Sequence, residues 1–291
     1  MKKIILLVVA LCVCLPSFAK DQKHKLEIGY SRFDYGYREP HTDRKDHFTA
    51  KKWGIDAVYT LQSVLSSDLS DDDPSFASLE VRYANGATDT EYEGHSKTDD
   101  NIKNHSVEAA LKIGRKYQLG EAFQLRPYLG IGWREARRGE EPYGREVDTH
   151  FVEDDFYFEE NVDVYASKTT YFYIPIGSHF ILDVGDALSI SLNGEFDWLV
   201  RGRFNAHAPD FYANSDNLSI SASKGYGVFL SAKAELDFGP FGVFAEPFWR
   251  YWKVQRSSKF WYGVDGVPNG GYSRTPFNIT REYGIRAGIT F

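Results

Sequence analysis

The chain has 291 residues, of which 42% are hydrophobic and 26% charged, a composition typical of globular proteins. Trp, Tyr and Phe contribute 6, 19 and 21 residues while Met occurs once, and this aromatic richness favours strands. A net charge of −7 argues against nucleic acid as a partner, and a mean hydropathy of −0.43, with no apolar run of about 18 residues outside the N-terminus, excludes a helical membrane protein.

The first 19 residues predict a cleaved secretory signal peptide. Lys2 and Lys3 form a basic start, an apolar stretch runs from Ile4 to Leu15, and Ser17–Ala19 provides a small-x-small cleavage site. The apolar stretch is too short for a helix that crosses a hydrocarbon core of about 30 Å. Both cysteines lie inside this segment, so we expect residues 20–291 to form one exported domain without disulfides.

The remaining chain contains ten segments in which apolar and polar residues alternate with a period of two. In one of them, Leu129 and Trp133 alternate with Arg126, Gly130 and Arg134. This period predicts strands with an apolar environment on one face and a polar environment on the other. The ten segments lie near residues 24–35, 50–62, 76–85, 105–115, 123–136, 168–180, 187–202, 225–238, 241–254 and 279–291.

The links between these segments alternate in length. Short links with Gly or Pro lie near residues 116–122, 181–186 and 239–240, and the link 63–75 is somewhat longer. The other links are long and polar, and they lie near residues 36–49, 86–104, 137–167, 203–224 and 255–278. This sorting predicts short turns on one side of an up-and-down sheet and long loops on the other.

Aromatic residues are expected to form a girdle at both ends of the predicted strands. Phe123 and Trp133 are ten residues apart, which at ~3.3 Å per residue and a tilt of ~40° corresponds to roughly 25 Å. This distance equals the height of the apolar band of barrels in outer membranes. The expected girdle residues are Trp53, Trp133, Trp198 and Trp249 at the long-loop rim and Phe123, Phe241 and Phe291 at the opposite rim.

The chain resembles bacterial outer-membrane β-barrel proteins in its alternation, its sorted links and its last strand. Its final alternating residues, which are similar to the signal that such proteins present to the barrel-assembly machinery, are Tyr283, Ile285, Ala287, Ile289 and Phe291. The resemblance implies an all-β fold: a single antiparallel up-and-down transmembrane barrel of about ten strands, with short periplasmic turns and long extracellular loops. It also implies an integral protein of a Gram-negative outer membrane, surrounded by lipid and lipopolysaccharide. The barrel size is similar to that of omptin proteases and of ten-stranded adhesins, and it does not distinguish between these two families.

The polar faces of the predicted strands carry as many cations as anions. The expected lumenal charges are Glu27, Lys52, Asp56, Glu80, Arg82, Glu108, Lys112, Arg126, Arg134, Glu195, Asp197, Arg201, Lys233, Glu235, Glu246, Arg250, Glu282 and Arg286. Buried charges persist when they are paired, and a barrel of this size has little room for water. We therefore expect a plugged lumen. A small selective porin is the alternative if the charges form separate rings of one sign.

Candidate catalytic and metal residues are few. An omptin-like rim protease, the second alternative, needs an acidic pair facing an Asp-His pair. Asp89–Glu91 is near to the acidic pair, whereas His207–Asp210 has the wrong order and spacing for its partner. The link that contains His41 and His47 shows no spacing typical of a metal site. We expect no catalytic residue, no cofactor and no metal.

The link 137–167 is rich in both acidic and aromatic residues. Such a segment is suited to bind a basic or glycan partner, and it is equally suited to extend the sheet above the membrane. Because outer-membrane function is commonly placed on loops of a rigid scaffold, we expect a structural role or a surface-binding and adhesion role through this link.

Overall fold

The computed structural model describes residues 24–38, 46–64, 74–92, 96–139, 145–153, 156–164, 167–206, 218–257, 260–264, 267–273 and 278–291. The expected signal peptide lies outside these residues. The described strands are β1 (His24–Arg38), β2 (Asp46–Gln62), β3 (Ser75–Tyr92), β4 (Ser96–Arg115), β5 (Tyr117–Gln118), β6 (Phe123–Arg138), β7 (Arg145–Glu153), β8 (Phe156–Val164), β9 (Ser167–Val184), β10 (Leu188–Ala206), β11 (Leu218–Ala222), β12 (Gly225–Asp237), β13 (Gly242–Val254), β14 (Phe260–Val264), β15 (Val267–Ser273) and β16 (Asn278–Thr290). Within the described ranges, no helix is long and apolar enough to span a membrane.

Ten long strands form a closed antiparallel barrel. Their order around the barrel is β1, β2, β3, β4, β6, β9, β10, β12, β13 and β16. The last strand returns to the first, with Glu27 opposite Thr290 and Arg38 opposite Ile279, so the barrel has no open edge. Each of the ten alternating segments overlaps one of these strands. The predicted all-β, up-and-down barrel of ten strands is therefore confirmed.

One end of the barrel, here called the short-turn end, carries the tight connections. The turn between β9 and β10 contains Gly185 at φ 69°, and the turn between β12 and β13 contains Gly239 at φ 93°. Glycine adopts such left-handed conformations without the steric cost of a side chain. At this end Leu26 and Phe291 exchange two backbone hydrogen bonds of 2.9 Å, which complete the seam between β1 and β16.

The opposite end, here called the long-hairpin end, is built of strands where the sequence predicted loops. Pairing of β3 with β4 continues to Tyr92 opposite Ser96, and β11 pairs with the last residues of β10. Two further hairpins, β7 with β8 and β14 with β15, lie within the links 137–167 and 255–278. The period-two pattern misses these extensions because backbone pairing continues where neither face of a hairpin has to be apolar.

The two faces of the barrel differ in chemistry. Large apolar side chains such as Leu129, Ile131 and Ile285 are more than half exposed on the outer face. A lipid environment removes this surface from water, which makes the arrangement stable. Inside, aromatic rings lie over glycines on the wall: a Cβ at Gly132 would overlap the ring of Tyr173. Glycine at such positions lets aromatic side chains pack close to the wall of the lumen.

Candidate functional site

The interior of the barrel contains the expected lumenal charges, with the exception of Arg201. The side chains that the structure places inside are Glu27, Lys52, Asp56, Glu80, Arg82, Glu108, Lys112, Arg126, Arg134, Glu195, Asp197, Lys233, Glu235, Glu246, Arg250, Glu282 and Arg286. They come from nine of the ten barrel strands, all except β9. Most of these cations lie next to an acid of another strand.

One network of ion pairs starts at the short-turn end. Lys233 Nζ lies 2.7 Å from Glu27 Oε1 and 3.3 Å from Glu235 Oε2. Lys25 Nζ lies 2.8 Å from Glu235 Oε1, although Lys25 is not among the predicted lumenal charges. Arg286 Nη1 extends the network to Glu246 Oε2 at 2.9 Å. The anions of this end are therefore shared between several cations.

The same network continues towards the long-hairpin end. Arg286 Nε lies 3.9 Å from Asp56 Oδ2, and Arg82 Nε lies 3.4 Å from Asp56 Oδ1. Arg82 Nη1 then donates to Glu282 Oε2 at 3.1 Å, and Glu282 Oε1 accepts from Arg134. A nearly continuous chain of charges thus crosses the barrel along its axis.

Two smaller clusters line the other wall. Lys112 Nζ lies 2.7 Å from Glu80 Oε2 and 2.6 Å from Glu195 Oε2, and the Tyr128 hydroxyl donates to Glu195 at 2.7 Å. Arg250 pairs with Glu108, whose other oxygen accepts from the Tyr173 hydroxyl at 2.6 Å. These tyrosines were not identified from sequence, although they share the parity of the lumenal charges.

Aromatic rings close the lumen near its middle. The guanidinium of Arg82 lies 4.5 Å from the ring centre of Phe33 and 5.0 Å from that of Phe248. Arg250 lies 5.3 Å from the ring centre of Phe229. Cation–π contacts of this kind stabilise the packing of the arginine side chains against the rings. This arrangement is called the middle layer below.

A second apolar cluster lies between the middle layer and the long-hairpin end. It contains Tyr173, Leu199, Trp252 and Val254, each at most 3% exposed. Between the middle layer and the short-turn end lies a cavity of about 450 Å³. The short-turn half of the described lumen therefore contains a cavity, and buried apolar side chains pack beyond it.

Three of the expected lumenal charges lack the expected partner. Both carboxylate oxygens of Asp197 are buried without a hydrogen bond. Arg126 donates to Gln124 Oε1 at 3.0 Å and forms no ion pair within the described residues. Lys52, only 2% exposed, donates to Asn104 Oδ1 at 2.6 Å. The alternation of the sequence shows which side chains point into the lumen, but it does not show which of them form ion pairs.

Arg201 was assigned to the lumen, and this prediction is wrong. The pairing of β10 with β9 shifts register between Leu199 and Arg201, as a β-bulge does. Leu199 is buried inside, whereas Val200, Arg201 and Arg203 are exposed. The extra residue reverses the parity of the last part of β10, and no feature of the alternation marks it in advance.

The bulge places Arg201 and Arg203 on an outer surface that carries other cations. Opposite and beside them on β9 and β6, Arg137 Nε lies 2.7 Å and Lys168 Nζ 2.9 Å from the carboxylate of Glu135. Partial burial alone would raise the pKa of Glu135, but the hydrogen bonds from Lys168 and Arg137 outweigh it and hold the pKa below its ordinary value of 4.5. These five residues are called the outer polar patch below.

The expected girdle phenylalanines lie at the ends of their strands, whereas the expected girdle tryptophans lie within strands that continue beyond them to the long-hairpin end. Trp198 is 60% exposed and Phe123 56%, and Trp249, Phe241 and Phe291 are also exposed. Trp133 and Trp53 are half-buried, the latter because its ring packs against Tyr83 at a centroid distance of 5.9 Å. The outer polar patch begins directly beyond Trp133 and Trp198.

The residues of the expected assembly signal share the outer face of β16. Those that the structure exposes there are Tyr283, Ile285, Ala287, Ile289 and Phe291. Their recognition by an assembly machinery stays a prediction. Of the residues considered for a rim protease, Asp89–Glu91 belongs to the long-hairpin end of β3, while His207–Asp210 lies outside the described residues.

The register of the β7–β8 hairpin divides its residues into two sets of alternate positions. One set contains the pairs Glu146 with Asp163, Asp148 with Asn161, and His150 with Glu159. The other set contains Phe151 opposite Phe158 and Val147 opposite Val162, together with Glu153 and Glu160. The backbone of β7 lies against β4. Most of the acids of the hairpin thus share one set of positions.

No protein-family model matches the chain, and no curated protein sequence matches it. Among solved structures, it is similar to the outer membrane protease OmpT from Escherichia coli, with a TM-score of 0.65 and 10% identity, over 93% of this chain and 96% of that one. The chain therefore has the fold of an outer-membrane β-barrel. At 10% identity this likeness shows the fold alone.

More distant likenesses are found to two other proteins. The translocator domain of the autotransporter NalP from Neisseria meningitidis gives a TM-score of 0.39 at 8% identity, over 100% of this chain and 97% of that one. The attachment invasion locus protein Ail of Yersinia pestis gives 0.31 at 10% identity, over 93% and 100%. These values are too low to transfer any property.

Proposed function

We propose that this protein is a non-conducting barrel of the outer membrane that binds a basic partner at the cell surface through the β7–β8 hairpin. The observation that carries this proposal is the register of the hairpin. It places Glu146, Asp148, Glu159 and Asp163 at one set of alternate positions, whereas Glu153 and Glu160 are the acids of the other set. An acidic surface on a rigid support attracts cationic segments and speeds their association.

The closed lumen supports a surface role over a transport role. A transporter needs a continuous polar path, but here the middle layer and the cluster around Trp252 occupy the barrel axis beyond the cavity. Ion pairs between opposite walls tie the strands together instead. The barrel then serves as a rigid anchor, and the segments that project from it carry the interaction.

A charge reversal at one set of positions tests the binding proposal. The variant Glu146→Lys/Asp148→Lys/Glu159→Lys changes acids of the first set, and Glu153→Lys/Glu160→Lys changes acids that the register assigns to the other set. With a fluorescent decalysine peptide as probe, we expect the first variant to lose at least about tenfold in affinity and the second to lose markedly less. Equal losses of affinity in the two variants would mean that only the net charge of the hairpin matters, and they would contradict the proposal.

We also propose that the outer polar patch contacts the phosphates of lipopolysaccharide. Arg201 and Arg203 are exposed directly beyond Trp198, at the level where lipid headgroups meet the protein. Lipid A should raise the thermal stability of the folded protein, and Arg201→Gln/Arg203→Gln should reduce this gain. Lipid A without phosphates should give a smaller gain, and equal gains from both lipids would contradict the assignment.

The protease alternative is supported by the likeness to OmpT and by the place of Asp89–Glu91 at the long-hairpin end. We expect no endopeptidase activity, since the candidate His207–Asp210 has the wrong order and spacing for the Asp-His pair that would face these acids. Incubation of the folded protein with a fluorogenic peptide library in lipopolysaccharide tests this. Cleavage that Asp89→Asn abolishes would establish the alternative.

A further inference from the structure

The cavity in the short-turn half of the lumen is large enough for a small ligand. Its volume of about 450 Å³ falls within the range of ligand pockets. Along β12 its wall extends from Asp237 at the short-turn end to Phe229 in the middle layer. At ~3.3 Å per residue and ~40° of tilt this is roughly 20 Å, so the cavity is elongated along the barrel axis.

The mouth of the cavity carries unpaired negative charge. Asp183, Asp186 and Asp237 all line it, and within the described residues none of them forms an ion pair. Asp183 accepts a hydrogen bond from Gln124, and Asp237 caps the backbone N–H of Gly239. The only cation without an ion pair among the described lining residues is Arg126. The mouth therefore favours a positively charged group.

The deep end of the cavity carries buried donors without acceptors. Arg82 and Arg286 each hold a buried Nε and Nη2 that form no hydrogen bond, and the Nε of Arg250 is likewise unpaired. Arg250 is only 6% exposed, and all three guanidinium groups line the cavity. Arg82 Nε and Arg286 Nε lie 3.4 and 3.9 Å from the Asp56 carboxylate, and Arg286 Nη2 lies 3.8 Å from Glu27, without forming hydrogen bonds. Arg82 Nη2 and Arg250 Nε are in no ion pair of the described residues, because the pairs of these arginines with Glu282 and Glu108 use Nη1. Buried donors of this kind are normally satisfied, and an oxyanion is their strongest acceptor.

We propose that this cavity binds a short linear zwitterion, a molecule with an ammonium group at one end and a carboxylate at the other. The carboxylate lies deep, where it accepts from the free N–H groups of Arg82, Arg250 and Arg286. The ammonium group lies at the mouth among Asp183, Asp186 and Asp237. The ligand binds in this direction because the acids lie at the mouth of the cavity and the guanidinium donors lie at its deep end. This inference does not depend on the binding role of the β7–β8 hairpin.

Three peptides of the same length separate the contributions of the two ends. Hexaglycine, which extended reaches about 20 Å at ~3.3–3.6 Å per residue, carries both charges, N-acetyl-hexaglycine only the carboxylate, and hexaglycinamide only the ammonium group. With isothermal titration calorimetry on the full-length folded protein in detergent, we expect hexaglycine to bind at least about tenfold more tightly than either analogue, because each lost charge removes a charge-assisted hydrogen bond. No measurable binding of hexaglycine, or equal binding of all three, would overturn the proposal.

Variants at the mouth test the direction of binding. The double variant Asp186→Asn/Asp237→Asn keeps the turn acceptor at Asp237 while it removes two charges. We expect it to lower the affinity for hexaglycine by about tenfold and to leave that for N-acetyl-hexaglycine unchanged. Glu121→Gln, an exposed acid at the same end of the barrel that does not line the cavity, serves as the control. An equal loss in the control would show that only the general charge of this end matters.

Discussion

Gly130 determines how closely two barrel strands approach each other. Alternation alone assigns it to the lumenal face and suggests that a serine is tolerated there. The structure contradicts this, because a Cβ at Gly130 would overlap the carbonyl oxygen of Leu111 and lie 3.0 Å from the Cα of Lys112. The backbone of a paired strand cannot move aside as a flexible side chain would.

We therefore expect Gly130→Ser to reduce the free energy of unfolding by about 1–3 kcal/mol, as overpacking does. Gly120→Ser is the matched control, since no heavy atom lies within 4 Å of a Cβ at that turn position. It should change stability by less than about 0.5 kcal/mol. Urea unfolding in detergent micelles measures both, and a harmless Gly130→Ser would show that the strands separate more easily than this packing implies.

The carboxylate of Glu135 makes a pH-dependent contribution to stability. Its pKa is held below 4.5 by the hydrogen bonds from Lys168 and Arg137, which outweigh the effect of burial. Because the pKa in the folded state is the lower one, the contribution is fully present above the unfolded-state pKa and is lost as the pH falls through the folded-state pKa.

At pH 7, Glu135→Gln should lower the free energy of unfolding by at most about 1 kcal/mol, since the site is near the surface. The difference from the wild type should begin to shrink as the pH falls below the unfolded-state pKa of about 4.3, and it should vanish below the lowered folded-state pKa. Denaturant unfolding at a series of pH values provides the measurement, with Glu121→Gln as an exposed control. A difference that stays constant across the whole acidic range would assign the effect to packing rather than to charge.

At the scale of single strands, β6 displays the contrast between the lipid face and the lumen. Leu129 is 58% exposed on the outer face, in the middle of the strand between Phe123 and Trp133. Leu129→Arg should cost roughly 2–4 kcal/mol in lipid vesicles, because the charge enters the apolar band. Leu119→Arg, at a residue that is 63% exposed in the short turn, should cost less than about 1 kcal/mol. Equal losses of stability in the two variants would show that the apolar band of the membrane does not lie at the level of Leu129 as assigned here.

The sequence was sufficient to predict the barrel strands and the direction of most side chains. Because successive side chains of a strand point to opposite faces, a strand whose two faces differ in polarity shows a period of two in its sequence. Three features were not accessible in this way. The bulge after Leu199 inverts parity without a sequence mark, the hairpin extensions lack an apolar face, and the ion-pair partners depend on how the strands are staggered around the barrel.

Arg126 illustrates the last point. It was expected to have a buried carboxylate partner, yet it donates to Gln124, which in turn donates to Asp183 at 3.0 Å. Arg134, eight residues along the same strand, pairs with Glu282 of β16 across the lumen. Both arginines have the same parity. Only the three-dimensional stagger of the strands decides which of them meets an acid.

At the scale of the whole molecule, the ion pairs couple walls that are distant in sequence. Glu282 receives Arg134 from β6 and Arg82 from β3, and its side chain is 3% exposed. Glu282→Gln removes the charge that both arginines share. We expect a loss of about 3–5 kcal/mol in the free energy of unfolding, because buried cations remain without their partner. Arg126→Gln, which breaks no ion pair of the described residues, should cost clearly less.

The conductance of the purified protein decides between a plugged barrel and a small porin. The lining of the cavity reaches the rings of the middle layer, and the buried cluster of Tyr173, Leu199 and Trp252 lies beyond it, so we expect no continuous column of water through the described lumen. In planar bilayers we expect no steady conductance from the wild type. Arg126→Gln should also remain silent, because this residue lines the cavity and not the filled half. A stable wild-type conductance whose ion selectivity shifts in Arg126→Gln, without loss of thermal resistance, would replace the plug by a hydrated selective channel.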